Sequence, residues 1–160
     1  MSINYTIAIG VIEDINLLNQ CFDEIGFIKN TSLTSENTVV DYQTFTIGNL
    51  IADIIEANEL ARNIFEETLE ISITQKIIIH VPDDISYSDN DTCYIMQLIN
   101  KLLEKVNFLA FLFNGEKLLL IKTKDKLAID SSSKIWSDKN VKRALSNIDM
   151  KLDRQKLPTI

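Results

Sequence analysis

Asn114-Gly115, set between the apolar runs Phe108 to Phe113 and Leu118 to Ile121, is the feature that most restricts what this chain can fold into. Asn-Gly accepts positive φ at both central positions of a type I′ turn, the tight turn whose twist suits two antiparallel strands. A two-residue turn predicts Phe113 opposite Glu116, Phe111 opposite Leu118 and Leu109 opposite Leu120 on one side of the hairpin. Leu112 with Lys117, Ala110 with Leu119 and Phe108 with Ile121 then occupy the other side. Both sides are greasy, so the hairpin must be covered twice and belongs inside a sheet rather than at its edge.

The rest of the chain supplies the covering elements. Asn4 to Val11 reads as a first strand, followed by a helix with Asp14 as its cap, Ile15, Leu18, Phe22 and Ile25 at helical spacing, and Gly26 as its left-handed end. Asn30 to Asn37 has loop composition, and Thr38 to Ile47 returns to residues that suit a strand. Gly48-Asn49 turns a second hairpin into Leu50 to Glu56, with a helix capped by Asn58 after it; the rival reading is one amphipathic helix from Leu50 to Leu69. Ile71 to Val81 reads as a strand, Thr92 to Lys105 as a helix, Leu127 to Ile129 as a short strand, and Asp138 to about Ile148 as a basic helix after Trp136. The expectation is one α+β domain over 1–160, a mostly antiparallel sheet around a central Asn-Gly hairpin packed by two to four helices, with a frayed tail over 151–160.

Composition matters mainly through charge. At 160 residues and 46 % hydrophobic the chain can bury a core without metal or disulfide, and no run reaches membrane-spanning length. The N-terminus lacks the basic segment of a secretory signal, and Cys21 and Cys93 lack CxxC spacing, so the expectation is a cytoplasmic protein with two reduced thiols. Net charge is −7, divided unevenly: residues 1 to 100 hold 16 Asp and Glu against 3 Lys and Arg, whereas 101 to 160 hold 7 against 13. Such a chain repels nucleic acid over much of its surface and can attract a basic protein.

Little of the sequence points to a reaction. His80 is the single histidine and sits in a strand, where a hydrogen-bonded structural role is the commoner use; Cys93 stands near a helix start, where the dipole favours a thiolate. An enzyme would have to use one of these two. The four glycines are scattered, so no phosphate-cradling loop can be written, and the acidic loop lacks the glycine turn and closing glutamate of a calcium site. Lys139, Lys142 and Arg143 are too few for a nucleic-acid footprint. No cofactor and no metal are expected. Asp83, Asp84, Tyr87, Asp89 and Asp91 instead form a tyrosine-bearing acidic loop anchored behind a strand, the composition of a charged docking rim, with Glu66, Glu67 and Glu70 as a second acidic group. A solvated loop whose last acids cap the next helix accounts for the same residues.

The order of elements carries a resemblance. An opening strand NYTIAIG, a helix ending at Gly26, a middle region ending in ISITQKIIIHV, a further helix, then FLFNGEKLLLIKTKDKLAID and Trp136 resemble the immunity proteins of bacterial polymorphic toxin and contact-dependent inhibition systems, over residues 4 to 137. The resemblance implies a non-catalytic protein that binds and occludes a cognate toxin, and the acidic half adds that the toxin is basic. A non-catalytic adaptor or regulatory interaction domain is the alternative.

Overall fold

The architecture comes from a computed structural model that describes residues 3–10, 14, 16–30, 43–81 and 89–160. Among the described residues, one nine-stranded sheet organises it, with four helices: an α+β fold. The strands are β1 (Ile3–Gly10), β2 (Ile28–Asn30), β3 (Gln43–Ile47), β4 (Leu50–Glu56), β5 (Gln75–Val81), β6 (Phe108–Phe113), β7 (Lys117–Lys122), β8 (Leu127–Asp130) and β9 (Leu152–Gln155). Their order is β2-β3-β4-β5-β1-β6-β7-β8-β9, which places β1 at the centre. Every neighbouring pair is antiparallel except β8 with β9. The helices are α1 (Asn16–Ile25), α2 (Glu59–Leu69), α3 (Asp89–Leu103) and α4 (Asp138–Leu145). Among the described residues no helix is long and apolar enough to cross a membrane.

Alternation along β1 divides the core in two, because successive strand residues point to opposite faces. Tyr5, Ile7 and Ile9 join the larger core on the first face, with Leu18 and Phe22 of α1, Ile95, Leu98 and Ile99 of α3, and Ala144 of α4. Ala8 points to the second face, where Ala110 and Ala128 keep the surface low enough to receive Phe65 of α2 and Leu157 of the C-terminal segment. The β6–β7 hairpin is therefore interior and covered on both faces, as its two greasy sides require.

Its register differs from that of a plain two-residue hairpin. Asn114 and Gly115 do take positive φ, +50° and +76°, and Glu116 N donates to Phe113 O at 3.2 Å. Yet Phe113 pairs with Lys117 and Leu112 with Leu118, one step out of the expected alignment, until a bulge at Leu119 brings Phe111 opposite Leu120. Leu118 thus lies in the second-face core and Leu119 in the first, the reverse of expectation, while Leu120 and Ile121 keep their expected sides. The cause is tertiary. Glu116 O accepts from Ile160 N, Lys117 pairs with Thr159, and the Trp136 indole N–H donates to Leu119 O at 2.8 Å.

The C-terminal tail is a second correction. Instead of fraying, it forms β9 beside β8, buries Leu157, and ends at the hairpin turn. Its polar sequence reflects an edge strand with exposed side chains, and its hold on the domain is the backbone ladder plus Asp130, which accepts from Leu157 N at 3.0 Å. The second hairpin, β3–β4, forms through Gly48-Asn49, which settles 50–69 as a strand followed by α2 rather than one helix. Of the expected strand from Ile71, only Gln75 onward joins the sheet; Ile71 and Ile73 bury their side chains in the connection.

Candidate partner-binding surface

Of the acidic loop, only Asp89 and Asp91 lie among the described residues. Asp83, Asp84 and Tyr87 lie outside the described residues. Asp89 opens α3 and is clamped by α4: Lys139 Nζ donates to Oδ2 at 2.9 Å and Arg143 to both carboxylate oxygens at 3.0 and 3.1 Å. Hydrogen bonds from Arg143, then Lys139, hold its carboxyl well below the usual carboxylate range. Its charge is spent within the protein. Asp91 is only 2 % exposed and stands against the β3–β4 turn, where a Cβ on Gly48 would meet its Oδ1 at 3.3 Å. Burial removes Asp91 from any docking surface. The Asp89 clamp gives Lys139 and Arg143 a role that the sequence did not suggest, tying α4 to the start of α3.

The second acidic group fares better. Asn58 caps α2, its side chain accepting from Ala61 N at 2.8 Å, and Glu70 ends it in the left-handed conformation at φ +57°. Phe65 faces the sheet, so Glu59, Glu66, Glu67 and Glu70 are left in solvent. Beside them Leu60 and Ile64, one helical turn apart, are 69 % and 37 % exposed. Glu67 and Glu70 border a cleft that also carries Lys126 and Lys156, so the acids of α2 outside that cleft are Glu59 and Glu66, with Arg62 one turn from each.

A strip of open sheet shares this side. Ile28, Thr46, Ile51, His80 and Asn4 stand opposite one another across β2, β3, β4, β5 and β1. Residues paired in this way share a face, and the face is that of α2, because Thr6 on the same side of β1 pairs with Leu112 of the second core. Ile28 is 67 % and Ile51 42 % exposed. The large apolar side chains exposed among the described residues, Ile28, Ile51, Leu60 and Ile64, thus all lie on one side of the sheet. Sequence reasoning missed the strip because β4 is apolar at both Ile51 and Leu50, and only the sheet order tells which of them is covered.

His80 is a cross-strand fastener within this strip. Its Nδ1 lies 2.9 Å from Asn4 Oδ1 and its Nε2 3.1 Å from Asp53 Oδ2, while the Thr44 hydroxyl donates to Asp53 Oδ1 at 2.7 Å. Both ring nitrogens are engaged, so a general base would first have to break one of these bonds. Cys93 belongs to α3 on the opposite face, with the Gln97 amide 3.5 Å from its sulfur, and the sheet separates it from His80. Cys21 and Cys93 are both free thiols, and burial pushes Cys21 up. Among the described residues, no group of three His, Cys, Asp or Glu side chains is placed to hold a metal.

No protein-family model matches the chain, and no curated protein and no solved structure matches it.

Proposed function

We propose that this protein is a non-catalytic immunity protein that neutralises a basic toxin domain by covering it, docking through the side of the sheet that carries α2. One observation carries the reading: the exposed apolar side chains Ile28, Ile51, Leu60 and Ile64 gather on that side, where Asp53, Glu59 and Glu66 outnumber Arg62 and Lys76, while Glu67 and Glu70 share their cleft with Lys126 and Lys156. Apolar anchors within a charged rim are the anatomy of a protein interface, and an acidic rim selects a basic partner. The resemblance in element order to toxin-immunity proteins supplies the biological role; the surface supplies the sign of the partner.

Capture of a basic toxin domain from the native host by the tagged chain, followed by binding kinetics at low and high salt, tests this. Glu59→Lys with Glu66→Lys should slow association and flatten its salt dependence. Leu60→Ala with Ile64→Ala should raise the dissociation rate by roughly tenfold or more. Unchanged kinetics in both folded variants would remove this side of the sheet, and capture of an acidic or non-toxin partner would remove the immunity role.

A further inference from the structure

The first face, opposite the proposed docking side, carries a cleft of about 240 Å³ where Tyr5, Phe113 and Lys117 stand side by side across β1, β6 and β7. Its apolar walls are Tyr5, Phe113, Leu119 and Ile135, and its charged lining is Lys117 and Lys134. The walls are held by rings: Tyr5 stacks on Phe111 at 5.4 Å between centroids and meets the edge of Phe113 at 5.6 Å, and Phe111 meets Trp136 at 6.2 Å. Lys134 has no ion-pair partner among the described residues. Lys117 lies 3.6 Å from Asp130, a carboxylate outside the lining that already accepts from the Leu157 N–H and the Ser132 hydroxyl. Larger clefts of about 340, 420 and 330 Å³ carry both signs, through Asp23 with Lys29, Glu24 with Lys101 and Arg143, and Glu67 and Glu70 with Lys126 and Lys156. Those linings do not specify a ligand's charge. This one does.

We propose that the cleft binds a small aromatic carboxylate, its ring between the Tyr5, Phe113, Leu119 and Ile135 walls and its anionic group at the Lys134 ammonium, the Lys117 ammonium being paired with Asp130. Apolar walls with a few convergent polar groups are the usual make-up of a ligand site, and a volume below the common range of about 300–1,000 Å³ limits the occupant to roughly one ring. The site does not rest on the docking reading, because the sheet lies between the two.

Titration of the whole chain with benzoate, benzamide and benzylamine, followed by amide chemical shifts, tests the assignment. Benzoate should give saturable shifts at Tyr5, Phe113, Lys134 and Ile135; benzamide should bind more weakly and benzylamine not at all. Lys134 is exposed outside the strands, so Lys134→Gln should fold normally, weaken benzoate roughly two- to fivefold and leave benzamide unchanged, while Lys134→Arg keeps benzoate binding. No saturable shift from benzoate, equal binding of benzylamine, or no effect of Lys134→Gln would overturn the proposal. So would tighter binding of a peptide ending in a free phenylalanine carboxylate, which would assign the cleft to a protein terminus.

Discussion

Gly10 and Gly115 are glycine for opposite reasons. A Cβ on Gly10 would lie 1.7 Å from the Ser72 carbonyl oxygen and 3.2 Å from Phe108 Cβ, in the close approach that lets the Ile71–Thr74 connection cross the end of β1. A Cβ on Gly115 would meet nothing within 4 Å, and only its φ of +76° opposes a side chain. Gly10→Ala must move backbone against backbone and should cost about 3 kcal/mol or more, the upper end of overpacking. Gly115→Ala should cost about 1 kcal/mol, and Gly115→Val more, because a β-branched residue resists positive φ. Urea unfolding of the two alanine variants checks the order; a Gly10→Ala protein as stable as its parent would show that the connection moves freely. Asn114→Gly, which keeps the turn's backbone freedom, also loses the bond from Asn4 N to Asn114 Oδ1 at 3.0 Å, so it is not neutral despite the permissive residue.

The hairpin shows how an element's register is decided from outside it. A tight turn alone would align Phe113 with Glu116, but the ladder begins one residue later and the bulge restores parity four residues after the turn. A bulge leaves one residue out of the regular pairing, and here Trp136 supplies the donor for that residue's carbonyl, Leu119 O. Trp136 is buried, so Trp136→Phe would leave this acceptor unsatisfied while preserving most of the packing. The expected loss is about 1–3 kcal/mol, with faster hydrogen exchange in β7 than in β4. Equal loss of protection in both strands would mean that the indole N–H has no special bearing on the bulge. Lys122 holds the other end of β7, its Nζ donating to Leu103 O and Val106 O at the end of α3, and burial pushes its pKa down.

At the scale of the whole molecule, Asp130 ties the C-terminal strand to the sheet. The residue is 1 % exposed and bonded to the Leu157 N–H and the Ser132 hydroxyl, with Lys117 nearby. Burial acts to raise its pKa, but these donors and Lys117 outweigh burial and hold the carboxyl below its ordinary value of 3.8. A carboxyl depressed by folding contributes stability above its unfolded pKa, and that contribution drains as pH falls through the folded value. Acid should therefore release β9 first. Amide exchange at progressively lower pH should show Arg154 and Gln155 losing protection below about pH 4 while β1 and β5 remain protected. Asp130→Asn should flatten this acid limb; an unchanged limb would place the acid sensitivity elsewhere.

Local chemistry sufficed for much of the fold. Asn114-Gly115, Gly26, Asn58 and the alternation of β1 each specify a turn, an end, a cap or a face through φ preference, side-chain hydrogen bonding or burial periodicity, and each acts over a few residues. Glu66, Glu67 and Glu70 were likewise legible as solvent-facing, because Phe65 marks the opposite side of their helix. Sheet order, bulge and tail are different in kind. β9 is recognisable only once β8 offers it a ladder, and Leu119 shifts face only because Trp136 and the last residues occupy the hairpin's end. Asp89 and Asp91 read as equal members of one acidic loop, yet α4 neutralises the first and the core encloses the second. The open strip of Ile28, Ile51 and His80 arose from the strand order in the same way. Sequence alone determined most of the strands and helices, though not β2 or β9, and where most of them turn, since those preferences are local. The tertiary structure decided which face is covered, which charge is spent and which apolar side chain stays in water, since each of these depends on a partner distant in the chain.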